Sequence, residues 1–341
     1  MSLRSLYRQG LRAATVALTL VLASSPAFAA PLEKVSIAVP SRSMNYLNVF
    51  LAEGFVAQEG VKAEITAVES GSRAAAALAG GSAHFAVLAV NEVVNVVAQG
   101  QKIIAVAALQ NGNAIQLVVS KRVSESKGVS ADTPLSKRIN ALRGLKIAVT
   151  TPGSSTDQTL KYLLSLEKID PARELDIINL NNPSAMLAAL QRGQIDGFVH
   201  APPNTTQAVV SHGAVPLIDM IDTPATKGAL FHVLCVKDEW AKANEETMLA
   251  VLRGFWKMQQ FMAGDRAAAE AKSAQIYSQT EPTLFKNAFA AMYPSYATTP
   301  LMSLQSAQKT VAYLEATSGK RIAAAPPEKW VVNAYAEKAK P

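Results

Sequence analysis

Short apolar runs alternate with segments of helical spacing over the first part of the chain. Strands are predicted over 35–39, 62–68 and 85–90, with further strands over 103–109 and 115–120. The intervening helices cover 46–59, the Ala-rich stretch that begins at Ser70, and 91–99. Leu47, Phe50 and Leu51 share one face of the first helix, as a core-facing helix requires. This order of strand and helix is typical of a doubly wound α/β sheet.

The same order restarts further along the chain, after a polar stretch over 121–143 that is predicted to be a loop with a short helix. The predicted elements of this second part are strand 145–150, helix 156–167, strand 175–180, helix 184–191, strand 195–199, helix 205–212 and strand 215–218. A strongly apolar strand follows over 230–236. The remainder is predicted to be helical, over 239–263, 266–278, 282–292 and 304–317, with an amphipathic tail over 330–339.

Two pairs of segments suggest that the halves are copies of one unit. Residues 76–89 align with 188–201, and both read as a helix that ends at a glycine before a short apolar strand and a polar loop. Upstream, Ile37-Ala38-Val39 matches Ile147-Ala148-Val149. An Ala-rich chain also matches itself through composition alone, but the ordered succession of elements favours a structural repeat.

The repeat predicts a two-lobed α/β protein with a doubly wound sheet flanked by helices in each lobe. The first lobe comprises 31–120 and 231–341, and the second lobe 121–230. The strands near 116–120 and 230–236 are predicted to be the two hinge strands. Ligands of open α/β sheets bind beyond the carboxyl ends of the strands, so the loops after the strands are the candidate binding loops.

The first 30 residues have the features of an export signal. Arg4, Arg8 and Arg12 precede an uncharged run over 13–23, and Ala27-Phe28-Ala29 provides a small-x-small cleavage site. The run is shorter than the roughly 20 apolar residues of a membrane-spanning helix. No cysteine follows it, which argues against a lipoprotein. We expect cleavage after Ala29 or Ala30 and a soluble periplasmic protein; an uncleaved anchor is the alternative.

Charge and cysteine usage narrow the function classes. Removal of the leader lowers the net charge from +7 to +4, without a block of Lys or Arg. This balance does not predict nucleic-acid binding, and it suits an anionic ligand only weakly. The single cysteine, Cys235, lies in an apolar run, so it forms no internal disulfide and is interpreted as a buried thiol rather than a nucleophile.

The motifs of enzymes are missing. The four histidines are not at metal-ligand spacing, and neither G-x-S-x-G, G-x-G-x-x-G nor the Walker pattern occurs. Residues 153–156 resemble a phosphate loop but lack its lysine. No catalytic residue, metal site or cofactor is therefore predicted.

Polar groups at the strand ends are the candidate ligand contacts. The N–H groups and partial positive charge of a helix start bind oxyanions without a metal, and ordinary helix capping is the alternative role for the same residues. The candidates at the predicted helix starts are Ser70, Gly71, Ser72 and Arg73 in the first lobe and Ser154, Ser155 and Thr156 in the second.

Two arginines could add a bidentate clamp for a carboxylate, sulfonate or phosphate. Arg42 and Arg73 lie where the first two strand–helix junctions should open into the cleft, although either could be a solvated surface charge. His200 is a candidate ligand contact. The alternative is that it lies next to the site and makes its hydrogen bonds within the protein. The remaining candidates, which share a position in a strand-end loop or at the cleft rim, are Ser43, Met44, Asn45, Val90, Asn91 and Ala201.

Several of these stretches resemble the nitrate/sulfonate/taurine class of periplasmic substrate-binding proteins, a group that includes thiamine-precursor-synthase-like proteins. The similarity covers about 31–260. The segments that carry it are 69–73, 144–149, 152–155, 190–198 and 201–203, of which 144–149 and 190–196 are the most specific.

The resemblance implies a two-lobed periplasmic binding protein of the class II type. Such a protein is a monomeric receptor that closes on a small molecule and delivers it to the permease and ATPase subunits of an ABC importer. A small organic anion is the leading ligand class, and a neutral or cationic heterocycle is the alternative. The chain departs from the family at His200, where many members carry an acid, and at Ala83-His84-Phe85. It also lacks the cysteine-rich motif of the synthases, which argues against that enzyme activity. A signalling role is compatible with the same fold.

Overall fold

The computed structural model describes residues 33–319 and 321–341. The predicted signal peptide, 1–30, lies outside the described residues. Two five-stranded sheets organise the fold, and we call them, with the helices that cover them, the first and second lobes. No helix in the described ranges is long and apolar enough to cross a membrane.

The first sheet contains β1 (Glu33–Val39), β2 (Val61–Ala67), β3 (Phe85–Ala89), β4 (Ile103–Asn111) and β10 (Leu230–Lys237), in the order β2-β1-β3-β10-β4. The strands β1, β2 and β3 are parallel, whereas β10 is antiparallel to both of its neighbours. Parallel strands need crossover connections, and the helices α1 (Leu47–Ala57), α2 (Gly71–Gly80) and α3 (Val90–Ala98) follow these three strands.

The second sheet contains β5 (Gln116–Val119), β6 (Lys146–Val149), β7 (Asp176–Asn179), β8 (Gly197–His200) and β9 (Val215–Asp219), in the order β7-β6-β8-β5-β9. Its helices are α4 (Lys121–Lys127), α5 (Leu135–Asn140), α6 (Ser155–Leu166), α7 (Pro183–Gln191) and α8 (Asn204–His212). The helices after β10 are α9 (Asp238–Ala243), α10 (Glu245–Gly264), α11 (Arg266–Ile276), α12 (Pro282–Met292), α13 (Leu304–Ser318) and α14 (Ala334–Lys338).

The two sheets repeat one topology, which confirms the predicted two-lobed α/β fold. In each, the second strand of the unit lies at one edge, the first and third strands pair in parallel, and an antiparallel strand from outside the unit lies beside the third. The register agrees with the sequence alignment of the halves, because Ile37 is opposite Phe85 and Ile147 is opposite Gly197.

His84, where the chain departs from the family pattern, has a structural counterpart in the second lobe. The backbone N–H of Lys146 donates to Asp196 Oδ2 at 2.9 Å, and at the matching place the N–H of Ser36 donates to His84 Nδ1 at 2.9 Å. The imidazole therefore accepts the hydrogen bond that the aspartate accepts in the second lobe. His84 also packs against Trp240, with 5.2 Å between the ring centroids.

The predicted hinge strands do not connect the lobes. The strand β5, which the sequence analysis assigned to the first lobe, pairs with β8 and β9 in the second sheet, and β10 is embedded between β3 and β4 in the first. Both strands are nearly fully buried within their own sheets. The chain passes between the sheets in the irregular segments 112–115 and 220–229 instead. The lobe boundaries as such remain a prediction.

Three smaller differences come from local geometry. Residues 121–143 contain two short helices, α4 and α5, rather than one. The predicted helix 239–263 is interrupted at Asn244, whose backbone is not helical (φ −128°, ψ 43°). The predicted amphipathic tail instead extends the edge of β4: the Ala105 N–H donates to the carbonyl of the fully buried Trp330 at 2.7 Å, and the Val332 N–H donates to the Ala105 carbonyl at 3.0 Å.

Cys235 and His232 are both buried in β10. Burial raises the pKa of the Cys235 thiol, in agreement with a structural role. His232 Nδ1 donates to Gln110 Oε1, and its ring packs between Tyr46 and Phe231. Burial lowers the pKa of His232 to about 3, so the imidazole is neutral at pH 7.

We expect Gly254→Ala in α10 to destabilise the protein by about 1–3 kcal/mol. A Cβ at this position would lie 2.6 Å from Val56 Cγ2 and 2.7 Å from Val56 Cα, so α1 and α10 would have to separate. Urea denaturation followed by circular dichroism measures the change. The matched control is Gly54→Ala on exposed α1 surface, where a Cβ meets nothing within 4 Å. It should stabilise by up to about 1 kcal/mol, and equal effects of the two changes would contradict the close packing of α1 on α10.

We expect the free energy of unfolding to fall as the pH is lowered below 6.5. The unfolded chain protonates His232 near its ordinary pKa of 6.5, whereas the folded chain excludes the proton down to about pH 3. This difference lowers stability by up to about 1.4 kcal/mol per pH unit. Urea denaturation between pH 7 and 4 should show a shallower slope for His232→Gln than for the wild type. His212→Gln, at the partly exposed end of α8, should keep the wild-type slope; an unchanged slope in His232→Gln would assign the acid sensitivity to other groups.

Candidate functional site

The carboxyl ends of parallel strands meet at one edge of each sheet, and the helix starts lie at the same edge. In the first lobe α2 begins at Gly71 and α3 at Val90, and a short 3₁₀ turn, Met44–Tyr46, precedes α1. In the second lobe α6 begins at Ser155. Helix starts carry free N–H groups and partial positive charge, so these edges can hold a polar ligand.

A cavity lies where the lobes meet at this level. About 390 Å³ there is free of protein atoms, a figure that includes space open to solvent. The walls come from the start of α3, the start of α6, both segments that cross between the sheets, and α13. The lining residues are Val90, Asn91, Asn113, Ser155, Gln158, Thr159, Thr226, Ala229, Leu230, Phe231, Thr310, Tyr313 and Leu314.

The lining carries no charged side chain, and most of the surface that it exposes to the cavity is apolar. It offers amides and hydroxyls together with one apolar wall formed by Leu230, Phe231 and Leu314. Two of its polar groups are already fixed by hydrogen bonds to Thr159 Oγ1, from Asn113 Nδ2 at 3.2 Å and from Tyr313 OH at 3.4 Å. An acid group in this cavity would be held by hydrogen-bond donors and helix starts rather than by a cationic side chain.

Three of the predicted contacts line this cavity: Val90, Asn91 and Ser155. Val90 and Asn91 are buried at the start of α3, and Ser155 is the first residue of α6. The structure therefore brings together predicted residues from both lobes.

The two arginines lie outside the cavity lining. Arg73 forms an exposed ion pair with Glu69 one helical turn away. Arg42 is exposed, and its guanidinium carbon lies 4.8 Å from the ring centroid of Phe50. The predicted guanidinium clamp is thus absent from the cavity wall as the structure describes it.

The serines next to Arg73 serve the start of α2. Ser70 caps the helix, because its Oγ accepts from the Arg73 N–H at 3.2 Å. Ser72 follows Gly71 in the first turn. Capping, the alternative role given to these residues, is therefore present at Ser70.

The candidate hydroxyl groups at the start of α6 lie within hydrogen-bond distance of one another. Ser154 Oγ, Thr156 Oγ1 and Thr150 Oγ1 lie 2.8–2.9 Å apart, and Thr156 is buried. Ser154 also caps α6 by accepting from the Asp157 N–H at 3.3 Å. The carboxylate of Asp157 is paired with Lys161 at 2.8 Å. Ser155 is the residue of this group that faces the cavity.

His200 is the last residue of β8 and Ala201 follows it, and neither is among the residues that line the cavity. His200 Nδ1 lies 3.2 Å from the carbonyl oxygen of Ala201 and 3.1 Å from Asn204 Nδ2. Burial lowers the pKa of the imidazole, which favours its neutral form. Ala201 is buried. These contacts match the alternative role of His200, in which it lies next to the site and makes its hydrogen bonds within the protein.

The predicted loop after β1 is tied to the C-terminal helices. The hydroxyl of Tyr277 donates to the Ser43 carbonyl at 2.9 Å, and that of Tyr296 donates to the carbonyl of buried Met44. Asn45 Oδ1 is buried without a hydrogen-bond partner among the described residues. Asn45 is therefore the residue of this loop with spare hydrogen-bonding capacity.

Sequence reasoning missed two kinds of residue. Thr310 and Tyr313 reach the cavity from α13, far along the chain, and no local pattern marks them. Glu92 lies beside the cavity at the third position of α3, where its carboxylate accepts the Ala89 N–H at 2.7 Å. An acid three residues into a predicted helix is a known capping signal, so Glu92 was detectable. Burial raises its pKa to about 7.

Comparison with known proteins shows that the chain is similar in sequence to a nitrate-binding protein. It is 30% identical over 120 residues to the nitrate/nitrite binding protein NrtA of Synechococcus elongatus, a match that covers 34% of this chain and 25% of that protein. The chain thus matches only about a quarter of the length of this curated relative.

Solved structures share the fold over nearly the whole chain. A Bordetella bronchiseptica RB50 protein superposes with a TM-score of 0.74 at 25% identity, covering 90% of this chain and 96% of that one. The periplasmic aliphatic sulphonate binding protein SsuA of Escherichia coli has a TM-score of 0.68 at 15% identity, covering 88% and 92%. The second of these likenesses concerns the fold alone.

A sequence profile supplies the family. The profile of the NMT1-like family matches residues 30–278, which is most of the chain and includes both sheets and the starts of α3 and α6. On this match, the protein belongs to the NMT1-like family.

Proposed function

We propose that this protein is a solute-binding receptor that captures a small organic anion between its lobes and delivers it to an ABC importer. The observation that carries the proposal is the cavity at which the starts of α3 and α6 meet. The relatives support it, since NrtA is named as a nitrate/nitrite binding protein and SsuA as a periplasmic sulphonate binding protein. In this proposal the protein is a monomer of the periplasm, exported through a cleavable signal peptide, and is not an enzyme.

The lining suggests how each part of the ligand is held. The acid group lies at the start of α6, where backbone N–H groups and the Ser155 hydroxyl donate to its oxygens. Asn91 faces it from the first lobe, and the apolar remainder of the ligand packs on Phe231. Contacts from both lobes make the closed form depend on the ligand, as delivery to an importer requires.

A second candidate ligand class is a neutral heterocycle. It is favoured by the uncharged lining, because amides and hydroxyls beside an apolar wall match the edges and face of a flat polar ring. A cationic side chain is dispensable for such a ligand. The binding panel described next distinguishes the two classes.

We expect ligand binding to raise the melting temperature of the purified protein. A site occupied at about 100 times Kd adds about 2.7 kcal/mol to the free energy of unfolding. A thermal-shift panel of nitrate, alkanesulfonates, carboxylates and pyrimidines at millimolar concentration measures this. Stabilisation by pyrimidines alone would select the second candidate, and a flat response to the whole panel would argue against a small-molecule receptor of either class.

We expect Asn91→Ala to weaken the binding of a stabilising panel member by about tenfold, since one hydrogen bond contributes about 1–1.5 kcal/mol. Isothermal titration calorimetry measures the affinity. Arg73→Ala is the matched control, because Arg73 is exposed, paired with Glu69 and outside the cavity lining. Equal losses in the two variants would restore the guanidinium clamp as the mode of binding.

A further inference from the structure

Glu92 places a carboxyl group at the edge of the first lobe. It is the third residue of α3, directly after the cavity-lining pair Val90 and Asn91. Its Oε2 accepts the Ala89 N–H at 2.7 Å, while Oε1 lies 3.4 Å from Asn91 Nδ2. The side chain is partly exposed. The carboxyl group is therefore held mainly by the Ala89 N–H, with further contacts to Asn91 Nδ2 and to its own backbone N–H.

The start of α2 closes on the same carboxyl group. A Cβ at Gly71 would lie 2.5 Å from Glu92 Oε1, so a larger residue there would displace the carboxyl group from its position. The carboxyl group thus lies at the starts of α2 and α3 together. Two helix starts favour a negative group at that point, and the chain provides the group from its own sequence.

The surroundings leave this acid without a cationic partner. Among the described residues, no Lys or Arg forms an ion pair with Glu92. Burial, and secondarily the nearby Glu92 carboxylate, raise the pKa of the Tyr46 hydroxyl and the Cys235 thiol. His232, which packs on Tyr46, is neutral at pH 7. On the first-lobe side, the described residues therefore present a carboxyl acceptor that has hydrogen-bond donors but no cationic partner.

We propose that Glu92 is a specificity-determining residue, which selects ligands that carry an ammonium or N–H donor in addition to their acid group. This inference rests on the proposed function and deepens it. The anion position of the first lobe is already occupied, so the acid group of the ligand goes to the start of α6 in the second lobe. The end that faces the first lobe must then complement a carboxyl oxygen, and a simple oxyanion cannot.

The test uses two pairs of probes that differ by one amino group: taurine against ethanesulfonate, and β-alanine against propionate. Calorimetry at pH 7 should give at least one amino compound an affinity at least tenfold higher than its partner in the wild type. Glu92→Gln keeps the shape of the side chain and an oxygen for the Ala89 N–H, and it should reduce that ratio to about one. Glu69→Gln, which removes a negative charge before α2 from an exposed residue, should keep the wild-type ratio.

A second readout separates ligand contact from a purely structural role. The pKa of Glu92 is raised to about 7 in the unliganded protein, and an ammonium group beside it would lower the pKa and release a proton. Calorimetry of the amino compound in two buffers of different ionisation enthalpy should detect this release in the wild type and its loss in Glu92→Gln. A variant that merely weakens the fold would lower the melting temperature without changing the number of protons released.

The outcomes separate the inference from the proposed function. Equal or weaker binding of the amino compounds in the wild type, or an unchanged ratio in Glu92→Gln, overturns the role of Glu92 and leaves the receptor intact. Binding of none of the four probes also overturns the inference. The receptor itself is then decided by the wider thermal-shift panel.

Discussion

The parallel pairing of the first and third strands in each lobe is the constraint on which the site depends. The pairs β1–β3 and β6–β8 share one register, and this register carries the carboxyl ends of the strands to one edge of each sheet. The helices that follow must begin at that edge, with their N–H groups unpaired. The cavity, its helix starts and the position of Glu92 all follow from this pairing.

Within this shared strand topology, the two lobes differ in their side chains. The hydrogen bond to the first strand is accepted by His84 in one lobe and by Asp196 in the other, so equivalent geometry is reached with different charge. The helix starts beside the cavity are not equivalent in the repeat: Glu92 lies in α3, which follows the third strand of the first unit, whereas Ser155 begins α6, which follows the first strand of the second unit. The two lobes therefore contribute different parts of the repeated unit to the cavity.

Much of the fold could be predicted because hydrophobic periodicity and glycine positions are local signals. The strands, most helices and the repeat are of this kind, and α12 was predicted with the bounds it has. The sheets to which β5 and β10 belong could not be predicted, because each of these strands pairs with strands that are distant in sequence. For the same reason Tyr313 was missed, and the sequence does not show that Arg73 pairs with Glu69 or that Arg42 packs on Phe50.

The placement of β10 makes the two lobes unequal in the order in which they can form. All strands of the second sheet lie within Gln116–Asp219, so that sheet is complete once this stretch of chain is available. The first sheet lacks its fourth strand until Leu230–Lys237 has emerged, which leaves the facing edges of β3 and β4 open until then. A chain that becomes available from its N-terminus onwards therefore exposes the unpaired strand edges of its first lobe longest, and such edges are the places where strands pair with other chains.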